Sequence, residues 1–192
     1  NMAKFREQGF VCGSFVSYFI NNYLPNIEGV NTTHIHEAIK ATTMNNGSYS
    51  TASVWAWETG LKNLSNTAGS GVTRYTDAAT AYANLVPGDV IIFSDSDGDL
   101  AHAAIYAGEY YLYSKSGSNG GLAHFIIHVG NSRGPEISTA EFMASAGAKS
   151  SPPSAWYHLD VNDQVESTGW IEVNKSDPNG TPLAGAYFTA VN

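Results

Sequence analysis

The chain has 192 residues, of which 43% are hydrophobic and 12% aromatic, and its formal net charge is −8. This composition supports a folded core, and the acidic balance without a basic stripe argues against nucleic acid or an anionic membrane as a partner. The single cysteine excludes an internal disulfide and a cysteine-based zinc site, and no apolar run is long enough to predict a membrane span.

Four helices are predicted in the first half of the chain. The spacing of apolar residues gives their faces, and capping and turn residues give their ends. The predicted helices are residues 10–24, stopped by Pro25; a second one from Thr32 or Thr33 to Asn45-Asn46-Gly47; residues 51–64; and residues 76–85.

Short apolar strands follow the helices, after a turn at residues 86–89. The predicted strands are Val90–Phe93, Ala101–Ala107, Tyr110–Lys115, His124–Val129 and Ala155–Leu159. Helices first, and then strands joined by short connections, predict an α+β fold with a mostly antiparallel sheet.

Two units are predicted along the chain. Residues 1–161 form the first domain, residues 162–168 a polar connector, and residues 169–192 the start of a second, all-β unit. The abrupt start and end suggest a segment of a longer protein, so the lack of a visible signal peptide says little about location.

Cys12 is the first candidate for chemistry. The helical spacing that follows it, with Gly13 and Ser14 as weak helix formers, predicts that Cys12 lies at the start of a buried helix. Helix N-termini lower a thiol pKa, so Cys12 is expected to be a poised thiolate and a nucleophile. The commoner role of a lone cysteine, a small buried hydrophobe, is the alternative.

Two histidines, His102 and His128, lie in apolar strands, where an imidazole needs a partner. Adjacent antiparallel strands could bring them together, and a Cys–His pair oriented by a third polar group is the general arrangement of acyl-transfer nucleophiles. Each alone could be structural. The four other histidines are predicted to be structural: His34, His36, His124 and His158.

No metal site and no cofactor is predicted. The His34-x-His36 pair lacks a third ligand, and the acidic loop at residues 95–99 lacks the distal glutamate of a calcium loop.

Four segments of the chain, in order, resemble the NlpC-type cell-wall cysteine peptidases, which have a compact papain-like fold with N-terminal helices packed on a small antiparallel sheet. The resemblance covers roughly residues 5–160. The matching segments are Phe10-Val11-Cys12-Gly13-Ser14-Phe15-Val16-Ser17-Tyr18, Val86-Pro87-Gly88-Asp89-Val90-Ile91-Ile92-Phe93, His102-Ala103-Ala104-Ile105-Tyr106-Ala107-Gly108 and Ile127-His128-Val129-Gly130-Asn131-Ser132-Arg133-Gly134.

The resemblance implies Cys12 as nucleophile, His102 as general base and then acid, and His128 as the group that orients His102. It implies a cysteine peptidase that cleaves peptidoglycan stem peptides between D-glutamate, through its γ-carboxyl, and a diamino acid. The protein is expected to be a monomer. Ser14, Trp55 and Trp57 are candidate substrate contacts, although the commoner role of each tryptophan is in the core.

The chain departs from the family pattern in two places. The family usually has Asp before the cysteine and Ser-Gly after it, where this chain has Val11 and Gly13-Ser14. The two histidines are 26 positions apart, which predicts an inserted hairpin after Gly108. If the extra length lies elsewhere, Tyr113 or Ser114 could take the third position.

Residues 169–192 resemble the opening of a Cna B-type (SpaA-like) prealbumin-fold domain, a β-sandwich found in the stalks of Gram-positive surface proteins. Lys175 matches the lysine that forms an isopeptide bond in that family, and its partner would lie beyond residue 192. The resemblance implies an extracellular protein, secreted or attached to the cell wall.

Two other functions stay open. One is a surface adhesin with an inactive peptidase-like head, in one version with a thioester from Cys12 to a glutamine; Gln8 is too near in sequence and Gln164 lies in the connector. The other is a related amidase or acyl hydrolase. An adhesin has no need of His102 beside Cys12, whereas both enzyme hypotheses require it.

Overall fold

The computed structural model describes residues 12–46, 53–112, 120–130, 134–145 and 151–161. The predicted connector and the predicted second unit, residues 162–192, lie outside the described residues, and so do Val11, Tyr113 and Ser114.

The described part of the chain begins with helices and ends with strands. The first helix is continued by a π-helical turn, Phe19–Tyr23, and a 3₁₀ turn, Leu24–Asn26. The helices are α1 (Cys12–Tyr18), α2 (Thr33–Asn46), α3 (Val54–Ser65), α4 (Ala78–Tyr82) and α5 (Ala140–Ser145). The strands are β1 (Val72–Tyr75), β2 (Val90–Ser94), β3 (Leu100–Leu112), β4 (Gly121–Gly130), β5 (Gly134–Thr139) and β6 (Pro153–Leu159).

The six strands form one antiparallel sheet in the order β1-β6-β2-β3-β4-β5. The last strand, β6, lies between β1 and β2, so the chain returns to the middle of the sheet before residue 161. The α+β class and the mostly antiparallel sheet are therefore confirmed. Within the residues described, no helix is long and apolar enough to cross a membrane.

Each face of the sheet is covered by a separate apolar cluster, because side chains alternate between the two faces along every strand. Ile92, Ala103 and Ile105 pack with helices α1 to α3 on one face, called here the α1 face. Phe93 and Ala104 pack with α4 and α5 on the other face, called here the α5 face.

The predicted strand 101–107 and the described part of the predicted strand 110–115 belong to one long strand, β3. The chain continues through a bulge between Tyr106 and Gly108, where Gly108 has a φ of +113°, a value that favours glycine. The pairs from Tyr110↔Ala123 to Leu112↔Gly121 extend the β3–β4 hairpin beyond the bulge. A hairpin after Gly108 is therefore present, and its interpretation as an insertion relative to the family stays a prediction.

The buried carboxylate of Asp89 links the turn before β2 to the end of β6. It accepts the backbone N–H of Val86 at 2.7 Å and that of Leu159 at 2.8 Å, and it lies 3.0 Å from Nδ1 of His158. The hydrogen bond with Asp89 raises the pKa of His158 above its ordinary value of 6.5. His158 thus has the structural role predicted for it.

The raised pKa of His158 makes the stability of the fold depend on pH. A group whose pKa is raised in the folded state stabilises the fold fully at pH values below its pKa in the unfolded state. This stabilisation is lost as the pH rises through its pKa in the folded state. We expect the difference in unfolding free energy between the wild type and His158→Gln to be largest below pH 6.5 and to decrease above it. Chemical denaturation at a series of pH values measures this, and a difference independent of pH would contradict it.

Candidate active site

Strands β3 and β4 separate at one end, and the candidate residues lie at this split. Their pairing starts at Ile105↔Ile127 and runs toward the hairpin. Beyond Ile105↔Ile127, away from the hairpin, the two strands no longer pair with each other. Here β3 is paired only with β2, and β4 only with β5, for example through His128↔Glu136. The split therefore leaves one backbone edge of β3 without a strand partner around residues 102–104.

The backbone N–H of Ala103 points into the split. The N–H of Tyr106 donates to Asp89 on the β2 side at 2.8 Å. Successive N–H groups of a strand point to opposite sides. Ala103 is three residues from Tyr106, so its N–H points to the β4 side. The Cys12 thiol lies on this side, and the N–H of Ala103 lowers its pKa.

The thiol of Cys12 is half-buried, and the N–H groups of Cys12 and Gly13 also lower its pKa. Burial has the larger effect, and it raises the pKa of Cys12 above its ordinary value. The prediction of a poised thiolate is therefore wrong for the resting protein. The N-terminal N–H groups are present, but they do not offset the loss of water around the sulfur.

His102 and His128 form a hydrogen-bonded pair across the split. Nε2 of His102 lies 2.9 Å from Nδ1 of His128, and the two rings meet edge to face at 86°. The register of β3 and β4 makes the two residues diagonal neighbours on one face of the sheet. The side chain of His128 is buried, so the hydrogen bond is shielded from water.

His102 is a neutral imidazole at physiological pH. Burial, and secondarily the nearby His128, lower the pKa of His102 to about 4. Burial also lowers the pKa of His128, against the opposing effect of Glu136. Since Nε2 of His102 faces His128, its Nδ1 is the remaining nitrogen, and this nitrogen can accept a proton in the tautomer that carries the ring proton on Nε2.

The thiol and the imidazole reach the split from opposite faces of the sheet. Helix α1 packs on the α1 face, while His102 lies opposite Phe93, with the two rings 5.8 Å apart, on the α5 face. The effect of the N–H of Ala103, the residue after His102, on the pKa of Cys12 shows that the thiol lies close to β3 at this point. The structure thus brings Cys12, His102 and His128 to one end of the sheet.

The other predicted site residues are not all placed there. Trp57 is fully buried in the core of the α1 face, so its prediction as a substrate contact is wrong. Trp55 is half-buried and lines a pocket between α2 and α3 with Ala38, Thr42 and Thr59. Ser14 is half-buried on α1, two residues from Cys12.

Among the remaining histidines, His124 stacks on Tyr82 with ring centroids 3.5 Å apart. Nε2 of His34 and Nδ1 of His36 are buried and have no hydrogen-bond partner among the described residues. No group of three metal-ligating side chains occurs in the part of the chain that the structure describes.

Sequence reasoning missed Glu136, whose Oε1 lies 3.8 Å from Nε2 of His128. Strand β5 carries it, and this strand was not predicted because Gly134-Pro135 reads as a turn. Only the cross-strand register reveals that Glu136 is directly opposite His128.

Comparison of the chain with models of protein families, with curated proteins and with solved structures finds no match. The functional assignment therefore depends on the residues at the split and on the sequence resemblance.

The neutrality of His102 can be measured directly. We expect the ring of His102 to titrate at about 4 by NMR, while His158 in the same spectra titrates above 6.5. In His128→Asn the pKa of His102 should rise, because a like charge is removed, but stay below 6.5 because burial is the larger cause. A wild-type His102 that titrates near 6.5 would contradict this account of the site.

Proposed function

We propose that this chain is a cysteine endopeptidase that hydrolyses the stem peptides of peptidoglycan through a papain-like arrangement of Cys12, His102 and His128. The observation that carries the proposal is the geometry at the split. The N–H of Ala103, the residue after His102, points toward the Cys12 thiol and lowers its pKa, and Nε2 of His102 lies 2.9 Å from Nδ1 of His128.

Acylation begins with the transfer of the Cys12 proton to Nδ1 of His102. The sulfur attacks the scissile carbonyl carbon, and the electron pair of the C=O bond moves to the oxygen. The backbone N–H groups at the start of α1, including that of Cys12, are suited to stabilise this oxyanion. As the oxyanion collapses, the C–N bond breaks and His102 gives its proton to the leaving amine.

Deacylation uses the same groups in reverse. His102 takes a proton from water, and the hydroxide oxygen attacks the thioester carbon. Collapse breaks the C–S bond, the carboxylic acid leaves, and the proton returns to the sulfur of Cys12. The resting state is a neutral thiol and a neutral imidazole, so the proton transfer belongs to the chemical step and no stored thiolate is needed.

The substrate class comes from the resemblance of four segments to NlpC-type peptidases. This supports the bond between the γ-carboxyl of D-glutamate and a diamino acid. The resemblance of residues 169–192 to a Cna B-type stalk supports an extracellular site of action, secreted or attached to the wall. An isopeptide bond formed by Lys175 is a separate expectation from the same resemblance.

The adhesin hypothesis is weaker because it gives no role to the buried histidine pair. Burying two imidazoles costs free energy, and an inactive head has no function that requires this burial. An amidase or acyl hydrolase would use the same three residues, so only the substrate distinguishes it.

The test is mass spectrometry of purified muropeptides from several wall types after incubation with the protein. We expect fragments split after D-glutamate with the wild type, and a loss of at least about 10³-fold with Cys12→Ala, because the alanine variant has no nucleophile. His34→Gln is a control, since His34 lies on α2 and not at the split.

Fragments at a different amide bond would favour the amidase hypothesis. Undiminished cleavage by Cys12→Ala would refute the mechanism, and no cleavage of any muropeptide by the wild type would refute the proposed substrate.

A further inference from the structure

We propose that Glu136 is a positioning residue for the reaction, because its charge fixes the proton of His128 on Nε2 and so leaves Nδ1 of His102 free to act as the base. The inference rests on the proposed function for its role in catalysis. Its geometric basis, the row His102, His128 and Glu136 across three strands, is independent of the substrate.

The three side chains form a row on one face of the sheet. Nε2 of His102 faces Nδ1 of His128, and Nε2 of His128 faces Oε1 of Glu136 at 3.8 Å. This last distance is longer than a hydrogen bond, so in this geometry Glu136 acts through its charge. The carboxylate is half-exposed, whereas His128 beside it is buried.

A neutral His128 carries one ring proton, and its position decides what His102 can do. If the proton is on Nε2, Nδ1 accepts a hydrogen bond from Nε2–H of His102, and Nδ1 of His102 keeps its lone pair. If the proton is on Nδ1 of His128, it donates to Nε2 of His102, and the proton of His102 moves to Nδ1. In the second arrangement His102 cannot accept the proton of Cys12.

Glu136 favours the first arrangement. A negative charge beside Nε2 of His128 attracts a proton on that nitrogen and repels a lone pair there. The first arrangement also suits the protonated His102, which still donates from Nε2 to His128. The hydrogen bonds therefore keep their direction while the proton moves between Cys12 and His102.

The carboxylate of Glu136 occupies space that is open because residue 130 is a glycine. Gly130 lies on the same face, two residues after His128, and a Cβ at Gly130 would collide with Oε1 of Glu136. Since that oxygen is the end of a flexible side chain, Gly130→Ala should displace Glu136 and leave the backbone in place. This variant tests the position of Glu136 without removing its charge from the protein.

The chain contains a matched control in the same hairpin. Oε1 of Glu109 lies 3.8 Å from Nε2 of His124, and both this carboxylate and that of Glu136 are about half-exposed. Among the described residues, His124 contacts Tyr82, Tyr106, Glu109 and Glu141 and is not part of the row. Glu109→Ala therefore removes an equivalent charge without affecting the row.

The experiment uses long-range ¹H–¹⁵N NMR on the 192-residue chain at pH 7, which identifies the protonated nitrogen of each neutral histidine. We expect Nε2–H on both His102 and His128 in the wild type and in Glu109→Ala. In Glu136→Ala and Gly130→Ala, we expect a shift of both rings toward the other tautomer. Glu136→Asp should restore most of the wild-type population.

Turnover of the stem peptide gives the second readout. We expect kcat to fall about tenfold or more in Glu136→Ala with little change in KM, and to recover largely in Glu136→Asp. An unchanged tautomer of His128 in Glu136→Ala, or the same loss in Glu109→Ala, would overturn the inference. If the wild type cleaves no stem peptide, the proposed function fails, and the tautomers still decide the role of Glu136.

Discussion

The separation of β4 from β3 beyond Ile105↔Ile127 is the constraint on which the site depends. A buried backbone N–H must find an acceptor, and a continuous ladder would satisfy that of Ala103 with a carbonyl from β4. Because β4 turns toward β5 instead, the N–H is available to the sulfur of Cys12. The same separation gives the imidazole of His128 room to meet His102 across the split.

Burial sets the resting protonation of the site. It raises the pKa of the thiol and lowers the pKa of both histidines, so all three groups are held in their neutral forms. A site built this way does not store a charged pair. Its reactivity depends on the direction of the hydrogen bonds, since a neutral imidazole is a base only if its lone pair faces the thiol.

Much of the fold was predictable because its signals are local. Helical spacing after Cys12, the turn before Val90 and the apolar run that follows it predict the helix that carries Cys12 and the central strands. Strand β1 was missed because its four residues, with the charged Arg74, show little apolar alternation. The partners of the Arg74 guanidinium are distant in sequence: Glu58 lies 3.2 Å from it and the hydroxyl of Tyr157 2.9 Å.

For the candidate site, the sequence indicates which residues to consider but does not indicate their electrostatics. The sequence indicated Cys12, His102 and His128, yet burial of the sulfur depends on how α1 packs against two strands, which spacing does not show. Trp57 was misassigned because an aromatic residue on a helix has the same spacing whether it faces a groove or the core. Glu136 depends on the register of β5, which is a property of the sheet.

The most direct test of the account is the rate at which iodoacetamide alkylates Cys12, followed by intact mass as a function of pH. The single cysteine makes the mass change unambiguous. The account predicts that His102→Gln lowers the rate about tenfold or more at pH 7, while His124→Gln leaves it unchanged, because only His102 can accept the thiol proton. Equal rates and equal pH dependence in the wild type and His102→Gln would contradict the central claim that the split couples Cys12 to His102.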